Sequence, residues 1–275
     1  MVVINRSLKV SGSGDNIDVT PLRENLAIYN NLLYEEYKGV YLKNLADNSW
    51  KSIQSASKEI SDNQYTSEQV YEKYGWSIGD QKPFVTVSGE QCVATIIGFN
   101  HDIDFNDEKV GITFEFEYLL ASKYALHSSS DNTGGWPDCQ FRVDTSFTLL
   151  ATLPEDLQAV IHPVIKKCAN GDSKTGTAIV EDQNHLFLPS AIEISLGSDS
   201  KMYNYSGEGN VYEAYQKGRS KIKYQYGSTS AITWFTRTPC AGMLNFKYYA
   251  TVSTSGAKTT SAANSSQGIL LMFCV

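Results

Sequence analysis

The sequence predicts an α+β protein in which an N-terminal helical region precedes a domain with a twisted, mainly antiparallel sheet. Helical spacing of hydrophobic residues is concentrated in the first quarter of the chain. After about residue 80, short apolar or alternating runs separated by turn residues are typical of strands. Only 19% of the 275 residues are charged, 41% are hydrophobic and 17 are tyrosines, which favours short strands and contact loops over long charged helices.

A helix is predicted over residues 21–37, with Pro21 in its first turn and Gly39 after its end. Its narrow apolar stripe fits two interpretations equally, a helix packed on its own domain and an oligomerisation or docking helix. We therefore divide the chain into an attachment and oligomerisation region, residues 1–46, and a binding domain, residues 47–275. A homo-oligomer is expected, with a trimer favoured. The stripe consists of Leu22, Leu26, Tyr29, Leu33 and Tyr37.

Further elements follow from capping, turn and alternation signals. Residues 47–60 predict a helix capped by Asp47, Asn48 or Ser49, and Thr66 with Gln69 predicts a capping box on a helix that stops at Gly75. A hairpin is expected from strands 83–88 and 92–99, and a helix over 154–167 that Pro163 must distort. The other predicted strands cover 112–116, 186–188, 232–235, 246–252 and 269–275, and residues 198–230 predict an irregular, functional surface stretch.

Charge and composition exclude several classes of protein. The net charge is −7 and no Lys/Arg cluster exceeds two adjacent residues, so binding to nucleic acid is not expected. No stretch approaches the ~20 apolar residues of a membrane span, and the N-terminus lacks the pattern of a signal peptide, which predicts synthesis in a cytoplasm. The five scattered cysteines predict buried small hydrophobic residues rather than a zinc site or a disulfide framework.

Residues 102–108 begin like a calcium loop, but the sixth and twelfth positions hold Asp107 and Thr113 where the EF-hand needs Gly and an acid. A solvated acidic turn is favoured, and a weak Ca²⁺ site built partly from carbonyl oxygens is the alternative. No cofactor is otherwise expected. The four histidines lack metalloprotease spacing, and no nucleophile elbow or phosphate loop is present, so the chain is not expected to be an enzyme.

The segment 234–239 combines an aromatic pair with Arg237 and Pro239, and it predicts an arginine locked in the core rather than one that binds a ligand. Trp234 and Phe273 are predicted to be buried as well. The residues around and after this strand fit no core pattern and have the composition of an adaptable contact surface. The predicted ligand contacts are Phe235, Met243, Asn245, Lys247, Tyr248, Thr251, Thr254, Lys258 and Thr260.

An ordered series of segments over residues 49–275 resembles a domain of unknown function that is common in phage structural proteins and in surface proteins of gut Gram-positive bacteria. The series is far more specific than any one of its pieces. Its pieces are SWKSI (49–53), WSIGD (76–80), IGFNHD (97–102), GGW (134–136) with Arg142, LP (153–154) with VI (160–161), LFLPSAIE (186–193), WFTRTP (234–239) and GILLMFCV (268–275).

The resemblance implies a C-type-lectin-like architecture, as in retroelement-diversified phage proteins and the formylglycine-generating enzyme fold. In those folds an aromatic–Arg strand and a C-terminal strand lie beneath a variable, ligand-facing surface. The enzyme's paired catalytic cysteines have no counterpart, because Cys240 and Cys274 lack its motif. The chain also departs from the usual pattern at Thr238, where Ser is usual, and at residues 270–272, where small residues are usual.

The function implied by the resemblance is that of a bacteriophage virion protein, a host-adhesion component of a fibre or tail assembled in the bacterial cytoplasm. Its partners would be a host cell-surface glycan or protein and other virion proteins. Two alternatives remain at this point. One is a purely architectural head-decoration or neck protein. The other is a host-polysaccharide depolymerase, which would need two carboxylates about 5–10 Å apart in a cleft.

Overall fold

The computed structural model describes residues 41–171, 178–198, 202, 205–241 and 247–275, without the side chains of residues 145 and 146. The predicted helix over 21–37 lies outside the described residues, and the attachment role of residues 1–46 stays a prediction. Leu42–Val275 forms one compact unit. Its first residues pack on the rest of it, since Leu45 is buried and the Leu42 carbonyl accepts a hydrogen bond from the Trp76 indole.

The helices are short, and the first two begin as their capping residues predict. The Ser49 side chain accepts a hydrogen bond from the Ser52 N–H. Thr66 and Gln69 form the predicted capping box, and Gly75 ends that helix with φ +79°. The α-helices are α1 (Trp50–Asp62), α2 (Ser67–Tyr74), α3 (Gln140–Leu150), α4 (Glu155–Gln158) and α5 (Glu213–Gln216), and 3₁₀ turns cover Leu45–Asp47 and Tyr205–Gly207.

The capping box gives a first prediction. Replacing Thr66 by alanine should lower the free energy of unfolding by about 1 kcal/mol, because the Gln69 N–H loses its side-chain acceptor. Urea denaturation measures this, with Thr66→Ser as the control that keeps the hydroxyl. Equal stability of the alanine and serine variants would show that the cap contributes nothing.

The described strands form two four-stranded sheets and one two-stranded ribbon. The first sheet has the order β1-β2-β3-β10, the second has the order β8-β7-β6-β9, and β4 pairs with β5. Every pair is antiparallel except β6 with β9. The strands are β1 (Gln81–Val85), β2 (Gln91–Phe99), β3 (Ile112–Phe116), β4 (Val164–Ala169), β5 (Ile179–Asn184), β6 (Trp234–Pro239), β7 (Tyr248–Val252), β8 (Lys258–Ala262), β9 (Gly268–Ile269) and β10 (Met272–Cys274).

Helix α1 covers the first sheet through an aromatic cluster. Trp50 makes edge contacts with Phe114 and Phe273, at centroid distances of 5.6 and 6.0 Å. Phe273 of β10 in turn stacks on Phe114 of β3 at 5.3 Å. The last strand of the chain is therefore a core element, as predicted for Phe273, and the fold is mixed α and β with mainly antiparallel sheets. No helix in the described ranges is long and apolar enough to cross a bilayer.

The predicted helix over 154–167 is wrong in most of its length. Helix α4 ends at Gln158, and the chain then enters β4 at Val164. Pro163 explains the break, because it has no N–H to continue a helix and its ring clashes with the preceding turn. The apolar residues in this stretch are buried as expected, but one lies on a helical turn, two on the connection and one on a strand. They are Leu157, Val160, Ile161 and Val164.

Two further departures concern strands. The predicted strand over 186–188 is reduced to a single bridge between Phe187 and Met272. Strands β5 and β8 carry few large apolar residues, so the sequence did not predict them.

All five cysteines are free, and four of them are buried. Burial raises the pKa of the Cys139 and Cys168 thiols to about 12. They therefore stay protonated and pack as small apolar side chains. The sequence-based prediction is confirmed for the four buried cysteines, whereas Cys92 is only half-buried.

Candidate functional site

Arg237, at the centre of β6, is fully buried. Its guanidinium forms a two-point ion pair with Glu193, one arm of which measures 2.9 Å. It also donates to the carbonyl oxygens of Leu188 and Glu208, each at 2.9 Å, and to that of Lys167 at 3.2 Å. The prediction that Arg237 is locked in the core is confirmed, as is the burial of Trp234.

The pair continues into a longer buried chain of charges. Lys166 of β4 lies between Glu193 and Asp102, with N–O distances of 2.7 and 2.5 Å. Asp102 also accepts hydrogen bonds from the hydroxyls of Thr113, at 2.7 Å, and Tyr212, at 3.0 Å. We call Asp102, Lys166, Glu193, Glu208 and Arg237 the Arg237 network.

The prediction of a solvated acidic turn over 102–108 is wrong for its first half. Asp102 is buried in the network, and Asp104 is buried while it accepts the N–H groups of Asn106 and Glu108. Only the later acids, Asp107 and Glu108, are exposed. The counter-charge of Asp102 comes from Lys166, 64 residues away, and sequence spacing could not show that partner.

His101, Asp102 and Glu193 offer donor atoms that lie within 4.8 Å of one another, a separation compatible with metal binding. The Lys166 ammonium, however, already contacts both carboxylates. A metal ion would have to displace it. The donor set of this cluster therefore fits an internal ammonium rather than a metal ion.

The network holds two of its three carboxyl groups, Asp102 and Glu193, ionised. Burial alone would raise the pKa of Asp102, but the Lys166 ammonium, His101 and the hydrogen bonds from Lys166 and Thr113 together keep that pKa well below its usual range. Burial likewise opposes ionisation of Glu193, and Arg237 together with Lys166 lowers its pKa to about 2. Two cations thus balance two carboxylates inside the protein.

Glu208 differs, because burial dominates and raises its pKa to about 7. Its carboxyl group accepts the Ala169 N–H at 2.9 Å and contacts the Thr238 hydroxyl. One side chain thereby ties the turn at 205–208 to the ends of β4 and β6.

Glu208→Gln should change how stability depends on pH. Because the folded protein keeps this proton up to about pH 7, the contribution of Glu208 is complete below about pH 4.5 and is lost as pH rises through 7. The variant should lack this decline and exceed the wild type at pH 8 by about 2–3 kcal/mol. Urea denaturation at pH 5.5 and pH 8 tests this, with the exposed Glu181→Gln as control. Parallel pH profiles for wild type and Glu208→Gln would contradict it.

A glycine-rich loop supports the same end of the domain. Gly135 has φ +64°, and a Cβ on it would lie 2.1 Å from the Ala169 carbonyl oxygen, so only glycine fits. The buried Asn132 donates to the carbonyls of Cys240, at 3.0 Å, and Tyr248, at 2.7 Å. The ends of β4, β6 and β7 are therefore fastened to one loop.

The predicted ligand contacts are distributed unevenly. Phe235 and Thr251 are fully buried opposite each other on β6 and β7, so neither fits a contact role. Both strands are buried on both faces. Their sequences therefore lack the alternation of apolar and polar residues that would have identified Phe235 and Thr251 as core residues. Lys247 and Thr254 are exposed, and Tyr248, Lys258 and Thr260 are half-buried. Met243 and Asn245 lie outside the described residues.

Three of the accessible contacts share one face of the sheet. The β7–β8 register pairs Tyr248 with Ala262, Ala250 with Thr260 and Val252 with Lys258, and β8 is the outer strand. Side chains two residues apart on a strand point the same way, so Tyr248, Thr260 and Lys258 lie half-buried on the side of the sheet where Ala250 and Val252 are in the core. The term β7–β8 surface denotes Lys247, Tyr248, Thr254, Lys258 and Thr260.

Comparison with known proteins assigns the chain to a family. Residues 115–275 match the family described as a domain of unknown function, DUF6273. The chain belongs to this family. No curated protein and no solved structure matches it. The DUF6273 match includes Lys166, Glu193, Glu208 and Arg237, whereas Asp102 precedes it.

The DUF6273 match begins at Glu115, the centre of a second buried network. Its carboxylate accepts from Arg219, at 2.8 Å, and Tyr215, at 2.5 Å, and it contacts Lys223. These contacts fasten α5 and the segment that follows it to β3. The sequence did not predict the pairings in either network, because the paired residues lie far apart in sequence and no local spacing indicates them.

Proposed function

We propose that this chain is a host-adhesion component of a bacteriophage particle, part of a tail or fibre, and that its DUF6273 domain is a binding module rather than an enzyme. The observation that carries the proposal is the Arg237 network, which joins β4, β6 and the loops at 188–193 and 205–208 from within. Loops fastened in this way lose little conformational entropy when they bind. A rigid frame beneath an adaptable polar surface is typical of recognition domains.

The proposed contact region is the β7–β8 surface, with Met243 and Asn245 as further predicted contacts. Tyrosine supplies contact area, and threonine and lysine supply adaptable hydrogen bonds. The ligand would be a host cell-surface glycan or protein. No cofactor is required by this arrangement.

The phage setting is supported by the ordered series of segments from residue 49 to 275 and its resemblance to phage structural proteins. We propose a C-type-lectin-like fold on the same basis, supported by the central position of β6 and the burial of β10. Assembly in the virion would use residues 1–46, as a homo-oligomer with a trimer favoured, in contact with other virion proteins.

Two measurements test the proposal. Fluorescently labelled full chain should bind saturably to at least one strain in a panel of gut Gram-positive bacteria, measured by flow cytometry. Gold-labelled antibody against the chain should mark the tail in electron micrographs of particles. Label confined to the head or neck, or release of soluble fragments from host polysaccharide, would overturn the adhesion assignment.

A further inference from the structure

One concave feature of the domain is lined by none of the residues of the β7–β8 surface. It is a pocket of about 170 Å³ between the β1–β2 turn, the chain after β3 and the end of α3. Three tyrosines, Tyr118, Tyr124 and Tyr226, contribute to its wall, and Phe116, Leu153 and Leu271 contribute buried apolar surface. We call it the tyrosine pocket.

Its walls are fixed by hydrogen bonds from several parts of the chain. The Phe116 N–H donates to the Leu271 carbonyl at 2.9 Å, and the Val87 N–H donates to the Thr152 carbonyl at 2.8 Å. The Tyr226 hydroxyl accepts the Gln91 N–H at 3.2 Å. The pocket is therefore formed before any ligand arrives, which is the usual state of small-molecule sites.

The lining combines aromatic side chains with polar groups that reach solvent. Tyr118 is 42% exposed, Ser88 and Ser122 are exposed, and Glu90 is half-buried. Burial raises the pKa of the Cys92 thiol in the wall to about 12, so it stays a neutral, unreactive group. The site thus offers aromatic packing inside and hydrogen bonding at its mouth.

The volume suits one six-membered ring, since a cavity of about 150 Å³ accommodates benzene. A purely apolar ring would take the Glu90 carboxylate out of water without a partner, which is unfavourable. A pyranose presents C–H faces to the tyrosines and hydroxyl groups to Glu90 and Ser122. Its chemistry matches both parts of the lining.

We propose that the tyrosine pocket binds a single pyranose ring of a saccharide. The choice of a saccharide rests on the proposed adhesion function, and it names the ligand class at a site separate from the β7–β8 surface. For a ligand of this size we expect a dissociation constant of about 1 mM.

The test uses the methyl glycosides of glucose, galactose and N-acetylglucosamine, measured by saturation-transfer NMR and titration calorimetry. At least one should bind to the full chain. Tyr118→Ala should weaken binding about tenfold or more, whereas Tyr71→Ala, which removes a 62% exposed tyrosine of α2, should leave it unchanged. Ala121→Trp, which fills the mouth, is a second blocking variant if Tyr118→Ala disturbs the fold.

The outcomes separate this inference from the adhesion proposal. No binding by any of the three glycosides, binding that survives both blocking variants, or binding of phenol in place of the glycosides would each overturn it. Glycoside binding that persists in Lys258→Glu supports a separate site. Adhesion to cells is measured separately from glycoside binding. The loss of glycoside binding therefore does not contradict the adhesion proposal, and the loss of adhesion does not contradict glycoside binding.

Discussion

Replacing Arg237 by alanine is expected to lower the free energy of unfolding by about 3–5 kcal/mol. The guanidinium is fully buried and supplies hydrogen bonds to Glu193 and three backbone carbonyls. Its removal leaves the Glu193 carboxylate without its two-point partner and those carbonyls without their shared donor. Urea denaturation at pH 7 measures the loss.

The double variant Arg237→Met with Glu193→Gln is the control. It removes both charges, so its loss of stability should be smaller than the sum of the losses measured for Arg237→Met alone and Glu193→Gln alone. Arg237→Lys keeps the charge but cannot form the two-point pair, and it should fall between wild type and alanine. If Arg237→Ala lowers the free energy of unfolding by less than about 1 kcal/mol, the network contributes little to stability.

Lys166→Met is expected to cost a similar amount, about 3–5 kcal/mol at pH 7.5. It leaves Asp102 and Glu193 facing each other without the ammonium between them. Asp102 then has no buried cation beside it, whereas Glu193 keeps its pair with Arg237, so the pKa of Asp102 should be raised in the folded variant. Protonation of this carboxylate then stabilises the folded variant. The difference in free energy of unfolding between wild type and variant should therefore shrink as pH falls from 7.5 toward 5.

Lys167→Met provides a matched control, because Lys167 is the next residue on β4 and its side chain is exposed. It should change stability by no more than about 0.5 kcal/mol at either pH. Equal losses for the two methionine variants, or a Lys166→Met deficit that does not depend on pH, would contradict the proposed role of the ammonium.

Sequence reasoning succeeded where the deciding interaction is local. Thr66 and Gln69 are three residues apart, and the capping box that they form was predicted from that spacing. Strand β3 was predicted over its full length. Burial of Arg237 was predicted because aromatic neighbours and a proline surround it within one strand.

It failed where the deciding interaction is distant. Asp102 was assigned to a solvated turn because its counter-charge, Lys166, lies on another element. Val164 fits both a helical and a strand periodicity, and Pro163 decided in favour of the strand. Phe235 and Thr251 resembled contact residues because a sheet buried on both faces leaves no polar alternation.

We propose that a rigid domain adheres to host cells through the β7–β8 surface. The most direct test compares Lys258→Glu with Lys123→Glu, a substitution of the same charge change at an exposed lysine elsewhere on the domain. Both variants should remain folded, which urea denaturation checks before adhesion is compared. Flow cytometry on a host strain should then show adhesion lost in Lys258→Glu and retained in Lys123→Glu. Equal adhesion of the two folded variants would contradict the claim.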